Sequence, residues 1–144
     1  MIELKVKKLH PDAIIPTYAT DGSACFDLHS VEAGIVEARG GYRVFRTGLA
    51  FEVENGWRSD IHSRSGMGFN HGVRLANSTG KIDQDYRGEV LVCLHNDRKS
   101  DLVIRKGDRI AQAEINRVYR AALIEVDELG TTVRGAGGFG STGL

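Results

Sequence analysis

Hydrophobic residues recur at every second position at the N-terminus, where Ile2, Leu4 and Val6 alternate with Glu3, Lys5 and Lys7. Successive side chains of a strand point to opposite faces, so this stretch predicts a strand with one buried face. Residues 42–53 are rich in Val, Phe, Leu and Tyr and are interrupted by Gly48, which predicts two strands or one bulged strand. Residues 57–62 form another short strand candidate. Residues 90–94 are a nearly continuous apolar run, the pattern of a strand buried on both faces. Ile110, Ala113, Ile115 and Val118 mark a further strand region, although their spacing alone also allows a helix. Residues 121–126 give one more strand. A helical turn or two fits residues 67–72, and no long amphipathic helix is evident. The pattern is that of an all-β chain of short strands joined by turns.

Composition agrees with that picture. Eighteen glycines in 144 residues are about twice the usual share near 7%, and Pro11 and Pro16 are the two prolines. The length suits one domain with a core that needs no disulfide or metal staple. Nineteen basic and 19 acidic residues give a formal net charge of +0, which is not the footprint of a protein that neutralises duplex phosphates. No nucleic-acid partner is expected. Cys25 and Cys93 sit in apolar surroundings and make neither a disulfide framework nor a zinc site, so they read as packing residues. No apolar run reaches membrane-span length and the N-terminus lacks a signal peptide's apolar stretch. A soluble, reducing compartment such as the cytoplasm is the expectation, with no membrane partner.

Four internal segments and the tail carry candidate chemistry. Residues 22–28 set Asp27 within an apolar strand, where a lone acid is costly unless it is paired or meets a cation. Residues 63–68, Ser-Arg-Ser-Gly-Met-Gly, offer donors from Arg64 and Ser65, and Gly66 allows close backbone approach to an anion. Residues 77–88 have glycines toward both ends and suggest a hairpin; in an extended arm Asp83 and Asp85 share a face and form a pair able to ligate a metal or activate water. A polar hairpin with solvated acids fits the same residues. In residues 106–112 a Gly-Asp turn precedes a strand in which Gln112 is expected to share a face with Ile110. The tail, residues 130–144, has too few apolar side chains to pack a core. Its Arg134, its run of glycines, Phe139 and Ser141-Thr142 read either as a disordered terminus or as a set of donors and one stacking ring that closes over a phosphorylated base.

Taken together and in this order, the five segments resemble the five motifs of the trimeric dUTPases. The resemblance spans residues 22 to 143. Its most specific parts are Gly80-x-Ile82-Asp83-x-Asp85-Tyr86-x-Gly88 and Arg134-Gly135-x-Gly137-Gly138-Phe139-Gly140-Ser141-Thr142-Gly143. It implies a β-barrel or jelly-roll-like dUTPase fold with at most one short helix, a core over residues 1–129, and a mobile lid over residues 130–144 that completes a neighbouring subunit's site. It further implies hydrolysis of dUTP to dUMP and pyrophosphate by a homotrimer with Mg²⁺. By that resemblance Asp83 is the general base. Asn77, Gly80, Lys81 and Ile82 read uracil, Tyr86 packs on the deoxyribose and excludes a 2′-hydroxyl, and Arg64, Ser65, Gly66 and Gln112 meet the phosphates. Arg134, Gly140 and Ser141 close over the outer phosphates, Phe139 stacks on uracil, and Asp27 holds the metal through water.

Three positions depart from the commonest family pattern: Ser63 where proline is frequent, Lys81 where an apolar or small residue is frequent, and Leu91 where lysine is frequent. Two rivals share the scaffold. A dCTP deaminase would carry a catalytic glutamate where this chain has Cys93, and would lack the glycine-rich tail. A nucleotide-sensing or partner-binding module would not need an intact Asp83.

Overall fold

The structure, a computed structural model, describes residues 2–141 and 143. Thr142, part of the closing motif, lies outside them. Eleven strands and one helix follow in the order β1 (Leu4–Lys8), β2 (Phe26–His29), β3 (Gly34–Val36), β4 (Gly41–Arg46), β5 (Leu49–Val53), β6 (Trp57–His62), α1 (Ser65–His71), β7 (Val73–Leu75), β8 (Thr79–Ile82), β9 (Leu91–Asn96), β10 (Leu102–Ile104) and β11 (Arg109–Arg117). They form antiparallel sheets ordered β2-β11-β6-β8, β4-β9-β7, β1-β5 and β3-β10. The sheets wrap jelly-roll-like around one core containing Leu28, Phe45, Leu94 and Ile110, each fully buried. Among the described residues the ladders do not close into a barrel, and no helix is long and apolar enough to cross a membrane.

The alternating patterns translate directly. Residues 42–53 become two strands, and Gly48 between them takes φ 68°. A Cβ at Gly48 would come within 2.8 Å of the His10 Cβ and 2.9 Å of the Ala13 Cβ, so only glycine lets the chain turn there against its neighbours. Thereafter β4 pairs with β9 while β5 pairs with β1. The short helix ends at Gly72, whose left-handed φ of 60° and amide bonds to Gly68 and Met67 carbonyls form a C-cap. The ambiguous region near residue 110 is a strand, β11.

Other expectations are corrected. Strand β9 alternates: Val92 and Leu94 are buried whereas Leu91 is 53% exposed, so it has one core face and not two. Residues 121–126 run without a ladder partner, and Leu123 is 95% exposed. Residues 77–88 supply only one strand, β8, which pairs with β6 and has no return arm. Both cysteines are half-buried and unpaired. Burial pushes each thiol up from its ordinary value.

Candidate active site

The sheet β2-β11-β6-β8 has a core face and a polar face. Phe26, Leu28, Ile61 and Ala113 point to the core, and alternation sends Asp27, Arg58, Asp60, His62, Gln112, Glu114 and Asn116 to the other side. A bulge decides one detail. The β11–β2 register shifts between Arg109 and Ala111, leaving Ile110 as the extra residue. Arg109 and Gln112 are three apart and would face opposite ways in a regular strand; the bulge brings both to Asp27's side. Gln112 therefore does not share a face with Ile110, which is fully buried.

At one end of this face Asp27 accepts a hydrogen bond from Arg64 Nε at 2.8 Å and another from Arg109 Nη1 at 3.2 Å. The acid that sequence reasoning found costly is thus paired, on both oxygens. Gln112 donates its amide to the Ser63 carbonyl at 3.1 Å, fixing the entry to α1, whose N-cap is Arg64 and whose first residues are Ser65 and Gly66. Arg64, Gly66 and Arg109 line a pocket of about 480 Å³ together with Asn70, His71 and Asp108. His29, opposite Arg109 in the ladder, leaves its buried Nδ1 without a partner, and burial pushes its imidazole down from its ordinary value. The role of Arg109 was not legible in the sequence, because it depends on the bulge.

The other end holds Asp83. Strand β8 is the sheet's edge, so one row of its backbone N–H and C=O groups has no ladder partner. Lys81, Ile82, Asp83, Tyr86, Glu89 and Leu91 line a pocket of about 220 Å³ beside that edge. Asp83 opens a turn closed by the bond from Tyr86 N–H to the Asp83 carbonyl at 3.1 Å, so Asp83 and Asp85 do not lie along one extended arm. The Tyr86 hydroxyl donates to the Glu89 carbonyl at 3.1 Å and holds the ring in the pocket wall. Asn77 and Ser78 form the turn before β8, with Ser78 at φ 64°. A Cβ at Gly80 would press to 3.3 Å on Ile61.

The two ends are far apart. The β6–β8 register pairs Ser59 with Ile82 and His62 with Thr79, so Asp83 falls beside Arg58, six residues before Arg64. At about 3.3 Å per strand residue the separation is on the order of 20 Å. Between the ends Asp60, 3% exposed, accepts from Arg58 Nε and Nη2 at 2.8 and 3.0 Å, Lys81 Nζ at 3.2 Å and Asn116 Nδ2 at 2.9 Å. Burial opposes the charge, but the bonds from Arg58, Asn116 and Lys81 outweigh it and hold the carboxyl down at about 2. His62 and Glu114 join Asp60 in a group whose ligand atoms lie within 4.8 Å of one another. The four donors already on Asp60 occupy the lone pairs that a directly bound cation needs. Asp27 has one donor on each oxygen, which leaves room to accept from a metal-bound water.

In the tail Arg134 Nε donates to the Gly137 carbonyl at 2.8 Å, and Phe139 and Gly140 adopt φ 45° and 90°. Ser141 N–H bonds the Gly138 carbonyl. Among the described residues the tail's hydrogen bonds are all internal, so Arg134, Phe139, Gly140 and Ser141 meet neither pocket of their own chain.

The family model for dUTPase matches residues 11–143. The chain belongs to the dUTPase family. It is 51% identical over 142 residues to the deoxyuridine 5'-triphosphate nucleotidohydrolase of Nautilia profundicola, covering 99% of each chain. It is 48% identical over 143 residues to that of Helicobacter hepaticus, covering 99% of this chain and 90% of the relative. A solved structure of the Staphylococcus bacteriophage 80alpha dUTPase with dUPNHPP superposes with a TM-score of 0.90 at 27% identity, covering 99% of both chains. In this dUTPase the departures from the family pattern have local explanations. The Ser63 hydroxyl accepts the Leu75 N–H at 2.8 Å, a bond that proline cannot make. Lys81 reaches Asp60. Leu91 presents its side chain to the pocket rim. Cys93, on β9 opposite Val44, is a half-buried thiol that burial pushes up from its ordinary value, unsuited to the role of a deaminase's catalytic glutamate.

Proposed function

We propose that this dUTPase hydrolyses dUTP to dUMP and pyrophosphate with Asp83 as the general base, in a homotrimer whose sites are shared between subunits. The observation that carries the reading is the pocket beside β8, where an exposed carboxylate, an anchored tyrosine and an unpaired strand edge adjoin. Uracil offers an acceptor at O4 and a donor at N3, which fixed backbone groups on that edge can match; cytosine reverses the pattern and leaves buried partners unpaired. Asn77, Gly80, Lys81 and Ile82 supply this edge and the turn that feeds it. Tyr86 abuts the sugar and discriminates against a 2′-hydroxyl. A water oriented by Asp83 attacks the α-phosphorus in line, Asp83 takes its proton, and pyrophosphate leaves. Mg²⁺, when bound to the triphosphate, neutralises charge on the leaving group. Asp27 fits an indirect hold on it through a water.

Distance supports shared sites. Asp83 and Arg64 must reach one triphosphate, yet about 20 Å of sheet separates them within a chain. Pairing the Asp83 end of one subunit with the Arg64, Ser65, Gly66 and Gln112 end of another resolves the conflict. The exposed apolar run of Leu123, Ile124 and Val126, and the free edge of β1, support an assembly that covers them. The tail then serves as a lid over a neighbour's site, with Phe139 stacking on the base and Arg134, Gly140 and Ser141 gripping outer phosphates. No observation favours a sensing module over hydrolysis.

Asp83→Asn tests the assignment. Pyrophosphate release from dUTP should fall by about 1,000-fold or more while dUMP binding, followed by calorimetry, stays within about threefold of wild type. Retained turnover, or equal loss of binding, removes Asp83 from the base role.

A further inference from the structure

We infer that Asp60 is a positioning residue for the reaction: by gripping Lys81 it sets strand β8, and with it Asp83, against the sheet. The inference rests on Asp83 being the base, and goes beyond that reading by naming what holds the base in place. Strand β8 is only four residues long and lies at the sheet edge, with β6 as its single ladder neighbour among the described residues. Such a strand is free to shift or fray from its outer end. Its outer end leads directly into Asp83.

Asp60 counters that freedom from the centre of the sheet. It lies opposite Lys81 in the β6–β8 register, and its Oδ1 accepts from Lys81 Nζ at 3.2 Å. The same carboxylate is immobilised from two other directions. Arg58 grips both its oxygens from the same strand, and Asn116 reaches it from β11 at 2.9 Å. Asn116 also donates to Glu114 at 2.9 Å, and Glu114 meets His62 at 3.0 Å. The Lys81 ammonium is thus tied to a rigid, nearly fully buried anion that spans three strands. Asp60 is two residues from Arg58, which stands beside Asp83 in the register, and Lys81 is two residues before Asp83. The network therefore fixes the base from both strands of the pair through side chains, leaving the Lys81 backbone to the edge that meets the nucleotide.

Function, not mere cohesion, is the expected reason for spending a buried carboxylate here. Burial of an ion pair is weak as a stabilising device, whereas base catalysis is sensitive to small misplacements of the reacting groups. Lys81→Met removes only the leg that reaches β8 and leaves Asp60 paired with Arg58 and Asn116. In the full-length protein, its kcat for dUTP should fall about tenfold with KM changed less than about twofold and thermal midpoint nearly unchanged. Asp60→Asn should lower kcat comparably, and the double variant should lose no more than about twofold beyond Lys81→Met, since both act through one contact. Wild-type kcat in Lys81→Met overturns the inference. So does a rise in KM alone, which marks Lys81 as a direct nucleotide contact, and so do effects that multiply in the double variant. Should Asp60→Asn fail to fold, the kcat and KM of Lys81→Met decide the matter alone. Failure of the Asp83 assignment is separately visible, because Asp83→Asn would then remain active; an inactive Asp83→Asn beside a normal Lys81→Met sinks only the role of Asp60.

Discussion

A methyl group at Gly88 would collide with the Tyr86 hydroxyl and ring, so this glycine leaves space for the ring to lie over the chain and bond the Glu89 carbonyl. The Tyr86 ring is 44% exposed and can swing outward, which makes Gly88→Ala a displacement of the ring and not a folding defect. Its preference for dUTP over UTP, measured as the ratio of kcat/KM values, should drop about tenfold. Tyr86→Phe, which keeps the ring and loses only the hydroxyl, should drop less. An unchanged ratio in Gly88→Ala would show that the ring does not guard the sugar. Residues of this kind were only partly legible. Gly88 and Tyr86 were visible as members of a motif, but the contact between them belongs to the turn geometry. Asp60 carried no signal at all, because Lys81 and Asn116, which join Arg58 in gripping it, come from strands that are distant in the chain.

At the scale of elements, apolar patterning pointed to the regions of β1, β2, β4, β5, β6, β9 and β11, gave no sign of β3, β7 and β10, and erred where tertiary pairing had the last word. β9 looked continuous in its apolar run, yet only alternate residues reach the core. The single extra residue at Ile110 changes which neighbours share a face, and nothing in the local sequence announces it. Residues 77–88 read as a hairpin because glycines stand near both ends, but β8 finds its partner in β6. The C-terminal arm offered donors in its sequence but no structural pattern, and among the described residues those donors bond only within the arm. A chain ending at Gly130 should therefore keep its core and its assembly state by sedimentation, because among the described residues the removed segment makes no hydrogen bond to the core. Its kcat/KM for dUTP should fall about 100-fold or more, the cost of losing phosphate donors and water exclusion. Full activity in the shortened chain would reduce the arm to an ornament.

The whole molecule joins these scales through the polar face of one sheet. Both groups of candidate residues stand on it, at opposite ends, with Asp60 and its partners between them. Composition and charge spoke against duplex nucleic acid as a partner class, and they carried no hint of this layout. Motif order named the candidate residues but not the distance between them, because that is a matter of lengths along β6 and not of residue type.

That spacing has a genetic consequence. If the base and the anion-gripping arginine of every working centre come from different polypeptides, two dead alleles can rescue each other. Chains carrying Asp83→Asn and chains carrying Arg64→Ala, each inactive alone, should regain a fraction of wild-type turnover once unfolded together and reassembled, because some centres in the hybrids receive both intact groups. Mixtures that stay inactive, while mass spectrometry confirms hybrid formation, would mean that each polypeptide builds its centre unaided.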